Sequence, residues 1–177
     1  MRVRPCEPED CPAIAAILNH EIRCGVSHFG TTPTSAETVR AEFDKLDRSR
    51  YPAFTADDEG EILGFCKSAP WQTREAYSWS VEITVYVRAD SRGRGIGRSL
   101  YAELIPALRA LGYRNAIGGI TQPNPASVTL HESIGMTRVA LYPSIGYKHG
   151  AWHDVGYWRA DLNPQLADHE PPAPGAR

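Results

Sequence analysis

No stretch of the sequence approaches the roughly 18 apolar residues that a membrane span requires, and the opening ten residues lack the apolar core of a secretory leader. Both absences point to a soluble, unexported protein with no membrane partner. Cysteine is scarce. Cys6, Cys11, Cys24 and Cys66 form neither a CxxC pair nor a zinc-ligand spacing, which favours free thiols in a reducing compartment and hence the cytoplasm. A basic run is missing as well. The 19 Lys and Arg residues are interspersed with 21 Asp and Glu for a net charge of -2, so no segment could hold a polyanion by counterion release, which argues against nucleic acid as a partner. No internal repeat or second domain is visible, and 177 residues suffice for one domain with a substantial core.

What is present is an alternation of short apolar strands with amphipathic helices. Residues 3–5 read as a first strand, and residues 12–23 carry Ile14, Ile17, Leu18 and Ile22 at helical spacing, with Asp10 available as the cap. Ser35, three before Thr38, opens a second helix with Val39, Phe43 and Leu46 on one face. Residues 51–56 and 61–68 flank the turn signal Asp57-Asp58-Glu59-Gly60 and predict a hairpin. Residues 77–87, rich in β-branched and aromatic side chains, predict the longest strand, in a central position. A third helix carries Leu100, Leu104, Ile105, Leu108 and Leu111, bends at Pro106 and stops at Gly112. Strands are expected at 114–120, 136–141 and 155–162, and a short helix at 125–134. From Asn163 onward proline, alanine and charge without periodicity predict a disordered tail. The reading is therefore one domain over residues 1–162 and a tail over 163–177.

The most informative segment is Arg92-Gly93-Arg94-Gly95-Ile96-Gly97-Arg98, a glycine-rich turn between a strand and a helix. The first N–H groups of a helix lack intrahelical partners, and glycines leave room for a phosphate to approach them. The helix dipole and Arg92, Arg94 and Arg98 add positive potential. A surface turn with solvated arginines accounts equally well for the glycines alone. A dinucleotide fingerprint would follow the first strand of a parallel unit and carry an acidic residue about 20 positions on. This turn follows the fourth strand, and the Gly-Lys-Ser/Thr of a Walker A loop is absent.

That segment resembles the R/Q-x-x-G-x-G/A turn with which the GNAT superfamily of N-acetyltransferases binds the pyrophosphate of acetyl-CoA, and the element order is similar to that fold. The resemblance implies an α/β (α+β) fold, with a mixed, mostly antiparallel central sheet flanked by about four helices. From Pro70 to Trp158, reaching back to Val3, the sequence is similar to phosphinothricin acetyltransferases and the related methionine sulfoximine and sulfone acetyltransferases. The blocks that carry this are Val81-Glu82-Ile83-Thr84-Val85-Tyr86-Val87, Pro123-Asn124-Pro125 with Ser127 and Leu130-His131-Glu132, and the run from Gly146 to Gly156. It implies acetyl-CoA as cosubstrate with no metal, a small-molecule amine as acceptor, and a homodimer.

The resemblance further implies a role for each residue. The backbone of Val85, Tyr86 and Val87 meets the pantetheine and the acetyl carbonyl, where an N–H stabilises developing negative charge. Glu82, a carboxylate in an apolar strand, becomes the general base, although a solvent-facing or ion-paired glutamate explains the residue too. His131 stands seven residues after Asn124, in a slot where most members carry tyrosine, as acid, relay or structural hydrogen-bonding group. Asn124 either meets the pantetheine amides or makes the turn before its helix. Phe29, Gln72, Thr73, Arg74 and Tyr77, with Ile83 and Thr84, line the acceptor pocket, where Arg74 either clamps a carboxylate or stands exposed. Gln72 departs from the family's basic residue after the tryptophan and disfavours a second anion on the acceptor. His149, His153 and Asp154 belong by resemblance to a structural loop near the pocket. Acetylation of a polyamine, an aminoglycoside or a protein N-terminus is the alternative activity, and a non-enzymatic acetyl-CoA sensor is the other class. Arg74 argues against polycations, and a sensor has no need of Glu82 and His131.

Overall fold

The computed structural model describes residues 1–168. Seven strands form one sheet in the order β1-β2-β3-β4-β5-β7-β6: β1 (Arg2–Pro5), β2 (Ala53–Asp58), β3 (Glu61–Pro70), β4 (Ser80–Val87), β5 (Asn115–Gln122), β6 (Thr137–Lys148) and β7 (Ala151–Asp161). Every neighbouring pair is antiparallel except β4 and β5, which are parallel. Four helices cover the two faces: α1 (Cys11–Cys24), α2 (Ala36–Asp44), α3 (Ile96–Ala110) and α4 (Pro125–Ser133).

Two cores result, one on each face. Ile14, Ile17 and Leu18 of α1 and Val39 and Phe43 of α2 bury against Phe65. On the opposite face, Leu100, Leu104 and Leu108 form an i, i+4, i+8 stripe on α3 and are fully buried among Leu63, Cys66, Val81 and Ile83. Each such leucine contributes about 1.5–3 kcal/mol of burial. The helix continues through Pro106 and ends where Gly112 turns left-handed, with Tyr113 N–H bonded to Leu108 O (3.2 Å) and Gly112 N–H to Arg109 O (3.0 Å).

Parallel pairing of β4 with β5 spans only Ser80↔Asn115, Val81↔Ala116 and Glu82↔Ile117. Beyond Glu82 the strands part, because β5 keeps its full register with β7 through Gln122↔Asp154 while β4 stays with β3 through Val87↔Gly64. The sheet is thus split at its middle strand, and the backbone of residues 83–87 has an open edge.

Several expectations need correction. Ser35 caps α2 through Thr38 N–H (3.2 Å), but Asp10 makes no such cap. Its carboxylate accepts instead from Arg4 (2.7 and 2.8 Å) and Thr55, tying β1, α1 and β2 together. β4 is central but not the longest strand, since the expected residues 77–79 leave it and Glu75–Tyr77 is a 3-10 turn. The two final strands are longer than expected and form one hairpin through the left-handed pair His149-Gly150, so the segment expected as a structural loop is strand. Pro143 hid this. It lies at a register break of an edge strand, where no ladder N–H is required, and Ser144 N–H bonds to the Asp154 carboxylate (2.8 Å). The expected tail begins as a 3-10 turn, Pro164–Asp168, anchored by the buried Asn163 amide on Arg109 O and Tyr113 O. The rest of that tail lies outside the described residues.

Candidate active site

The split in the sheet opens a cavity of about 690 Å³ between β4, the start of α3, β5 and α4. Val85, Tyr86 and Val87 supply one wall, and Arg92, Gly93, Gly95, Ile96, Gly97 and Arg98 a second. Asn124, just before α4, and His131 on α4 supply the third. Gly95 precedes α3 with φ 78° and Gly93 has φ 75°, and a Cβ at either would meet no atom within 4 Å. Both positions therefore open onto free space, and the left-handed backbone, rather than crowding, is what favours glycine there. Ser99 is the first residue of α3 whose N–H bonds back, to Gly95 O (3.0 Å), so the N–H groups of Ile96, Gly97 and Arg98 have no intrahelical acceptor. This is a cradle that fits a pyrophosphate. Gly97 serves another end, since a Cβ there would come within 2.8 Å of Leu130 Cδ2 and require that side chain of α4 to shift.

Positive charge around the cradle is less than the three arginines suggest. Arg92 is ion-paired to the buried Glu21 at the end of α1, and Arg94 does not line the cavity. Arg98 does.

His131 is buried on α4. Its Nδ1 lies 2.8 Å from the Ser127 carbonyl oxygen, which can only accept, so Nδ1 carries the proton. Nε2 is then the acceptor, and the fully buried Tyr101 hydroxyl donates to it (3.1 Å). Burial holds the imidazole pKa below the ordinary 6.5, against the Ser127 hydrogen bond, and favours the neutral ring. Gly118 of β5 makes room for this ring, as a Cβ there would lie 2.9 Å from Nε2. Asn124 caps α4 by accepting from Ser127 N–H (3.1 Å), and its amide donates to the Ser27 hydroxyl (3.4 Å).

Glu82 is half-buried on β4, and burial raises its carboxyl pKa above the ordinary 4.5 while nearby Lys67 opposes the rise. It borders the first cavity and also a second one of about 480 Å³ on the α1/α2 face. The second cavity is lined by Glu82 and Thr84 together with Lys67, His28 and Glu42. Ile83 faces the first cavity alone. Glu82 and Thr84, with Tyr86, thus join two cavities on opposite sides of the split sheet.

Of the remaining residues expected in the acceptor pocket, Gln72, Thr73, Arg74 and Tyr77 are exposed and border neither cavity. Their neighbour Trp71 packs edge-on against Tyr157 (5.5 Å), whose phenol pKa is raised by burial and by Glu82. Phe29 also borders neither cavity. Its ring covers Gly146, where a Cβ would come within 2.4 Å. The β6-β7 hairpin end grips the same segment. Buried Lys148 donates from Nζ to Glu21 O (3.0 Å) and His28 O (2.7 Å), and His149 Nε2 donates to Gly25 O (3.2 Å). His153 Nε2 likewise donates to Lys148 O (3.0 Å). Among the described residues no group of three His, Cys, Asp or Glu side chains is arranged to hold a metal.

Sequence reasoning missed Tyr101, Lys67, Glu21 and Tyr157. Tyr101 is hidden in an apolar helix stripe, where only its hydroxyl, which needs a partner once buried, gives a signal. Lys67 is the single cation in β3, following the apolar run Ile62 to Cys66, an anomaly of the same kind as Glu82 in β4.

Comparison with known proteins decides the family. The model of the Acetyltransferase (GNAT) family matches residues 14–136. The chain belongs to the GNAT acetyltransferase family. This GNAT protein is 38% identical over 164 residues to the phosphinothricin N-acetyltransferase of Streptomyces viridochromogenes, with 92% of this chain and 88% of that protein covered. It is 34% identical to the L-methionine sulfoximine/L-methionine sulfone acetyltransferase of Pseudomonas aeruginosa, over 92% of this chain and 95% of that protein. Its fold is similar to that of a GNAT superfamily phosphinothricin acetyltransferase from Sinorhizobium meliloti solved in complex with acetyl-CoA. That likeness has a TM-score of 0.91 at 30% identity and covers 97% of this chain and 92% of that one. This GNAT protein is an acetyl-CoA-dependent N-acetyltransferase with acetyl-CoA as cosubstrate.

Proposed function

We propose that this GNAT enzyme acetylates the α-amino group of a small amino acid or amino-acid analogue, by direct attack in a ternary complex. The observation that carries this reading is the position of Glu82, half-buried at the junction of two cavities, one with a pyrophosphate cradle and the other large enough for a small acceptor. Acetyl-CoA occupies the first cavity, with its pyrophosphate on the N–H groups of Ile96 to Arg98, between Gly93 and Gly95. Asn124 and the open edge of Val85, Tyr86 and Val87 meet the pantetheine. The acceptor enters the second cavity, and Glu82 takes the ammonium proton, directly or through a water. An N–H on the β4 edge stabilises the charge that develops on the acetyl oxygen. Of the roles left open for His131, the unprotonated Nε2 held by Tyr101 supports that of a relay that accepts a proton. Gln72, Thr73, Arg74, Tyr77 and Phe29 border neither cavity and carry no direct contact to the acceptor in this reading.

The same reading places the enzyme in the cytoplasm, where Cys6, Cys11, Cys24 and Cys66 stay free as they are in the fold. It pairs two copies through the apolar face that exposes Tyr142, Ile145, Tyr147 and Trp152 on the β6-β7 hairpin. Thiol release from acetyl-CoA, measured across α-amino acids, their sulfone and phosphinate analogues, polyamines and peptides, tests the proposal. Activity confined to polyamines or peptides refutes the acceptor class, and activity on none of them refutes catalysis of this kind.

A further inference from the structure

We propose that Lys67 is the anion-binding group of the acceptor cavity and holds the acceptor's carboxylate while Glu82 faces its amino group. This rests on the reading of the second cavity as the acceptor site. Antiparallel register places Lys67 of β3 opposite Thr84 and Ala69 opposite Glu82, and all four line that cavity. Lys67 and Glu82 are therefore diagonal neighbours on one sheet face. Such neighbours stand about 7–8 Å apart at the backbone, which leaves room for a small zwitterion between the two side-chain tips. The ammonium would meet the carboxylate of Glu82, and the carboxylate would meet the ammonium of Lys67.

Three observations favour a ligand role for Lys67 over a structural one. First, among the described residues lining the cavity it is the only lysine or arginine. Second, its ammonium is poorly used within the fold. Its ion pair with Glu42 is 3.8 Å long and the Phe43 ring centroid is 6.0 Å away, both beyond hydrogen-bonding distance, whereas an ammonium has three donors to place. Third, the candidate the sequence offered for this task, Arg74, borders neither cavity. A cavity with one cation matches one acceptor anion. The carboxylate of Glu42 competes for that cation when no acceptor is bound.

The test compares two acceptors that share the amine, methionine sulfone and its carboxamide, in the full-length enzyme. In Lys67→Gln, the kcat/KM for the acid is expected to fall roughly 10- to 150-fold, the loss of a hydrogen bond between charged groups, mainly through KM. The carboxamide, which keeps an acceptor oxygen but no charge and to which glutamine can still donate, should lose distinctly less than the acid, and the KM for acetyl-CoA should not move. Glu42→Gln, which removes the competing carboxylate, should lower the KM for the acid. Calorimetric binding of both compounds to the CoA-loaded protein gives the acid-to-amide ratio without turnover, and no binding of the acid to the wild type overturns the proposal. An equal loss on acid and amide also overturns it. With the same displacement of the acidic limb of both pH profiles, Lys67 would act only on Glu82, among the other titratable groups there, His28, Glu42 and Tyr86. Full activity of Glu82→Gln would instead refute the base assignment alone, because the acid-to-amide ratio does not depend on it.

Discussion

Gly95 and Gly60 offer a matched pair of substitutions for testing the coenzyme cradle. Both have positive φ, 78° and 91°, and a Cβ at either would meet no atom within 4 Å. Alanine at either position carries the same penalty, about 1–2 kcal/mol for a left-handed L-residue. For a domain of this size that corresponds to a loss of about 2–8 °C in Tm. Their surroundings differ. Gly60 closes the β2-β3 hairpin away from the split in the sheet, whereas Gly95 immediately precedes α3 and lines the first cavity. A methyl group at Gly95 fills space that the reading reserves for the pyrophosphate and displaces it from the N–H groups behind. Loss of one hydrogen bond to a charged group costs about 1.5–3 kcal/mol, a decrease of roughly 10- to 150-fold in affinity. Calorimetric titration with acetyl-CoA, beside thermal unfolding of both variants, separates the two effects. Gly60→Ala should lose stability and keep its affinity, while Gly95→Ala loses both. If the two variants bind acetyl-CoA equally well, the cradle is not at this turn.

Glu82→Gln should lower turnover by about 10²-fold or more, the scale of a positioned base, with acetyl-CoA affinity unchanged. The same change should raise Tm at pH 7. A carboxyl group whose folded pKa lies above 4.5 costs stability as the pH rises from 4.5 through that folded pKa, and the glutamine removes this cost. Thermal scans at pH 4 and pH 7 check the sign, since the advantage of the variant should vanish at the lower pH. Tyr101→Phe leaves buried Nε2 without a donor and should cost about 1–3 kcal/mol in denaturant unfolding, with slower turnover if His131 is a relay. For His131, whose folded pKa lies below 6.5, wild-type stability should fall as pH drops from 6.5 through that folded value, and His131→Asn should flatten this slope. Phosphinothricin, which brings a second anion to a cavity with one lysine, should be acetylated less efficiently than methionine sulfone in a kcat/KM comparison.

The order of elements and both core stripes were legible because periodicity and turn chemistry are local. The α3 stripe, the Ser35 cap and the turn of the first hairpin, with Glu59 and Gly60 both at positive φ, all stand as sequence signals. The β6-β7 hairpin was legible only in part, because Pro143 reads as a break until its place on an edge strand is known. The cradle residues were readable for the same local reason, since a strand, a glycine turn and a helix are contiguous in the chain. Partners brought together over long separations were not. Nothing in the sequence links Arg92 to Glu21, Tyr101 to His131, or Lys67 to the face of Glu82, since each pairing depends on how β3, β4 and the helices are assembled. Arg74 shows the converse limit, a residue of suitable chemistry that the fold leaves at the surface, bordering neither cavity.

The most direct test of the central claim is a product analysis of one reaction: purified enzyme with acetyl-CoA and methionine sulfone, followed by mass spectrometry and NMR of the acceptor. The account predicts one N-acetyl group on the α-amine for each CoA thiol released, and near loss of both products in Glu82→Gln. Thiol release without an acetylated amine, or acetyl transfer to the α-amine that is unaffected by Glu82→Gln, would contradict it.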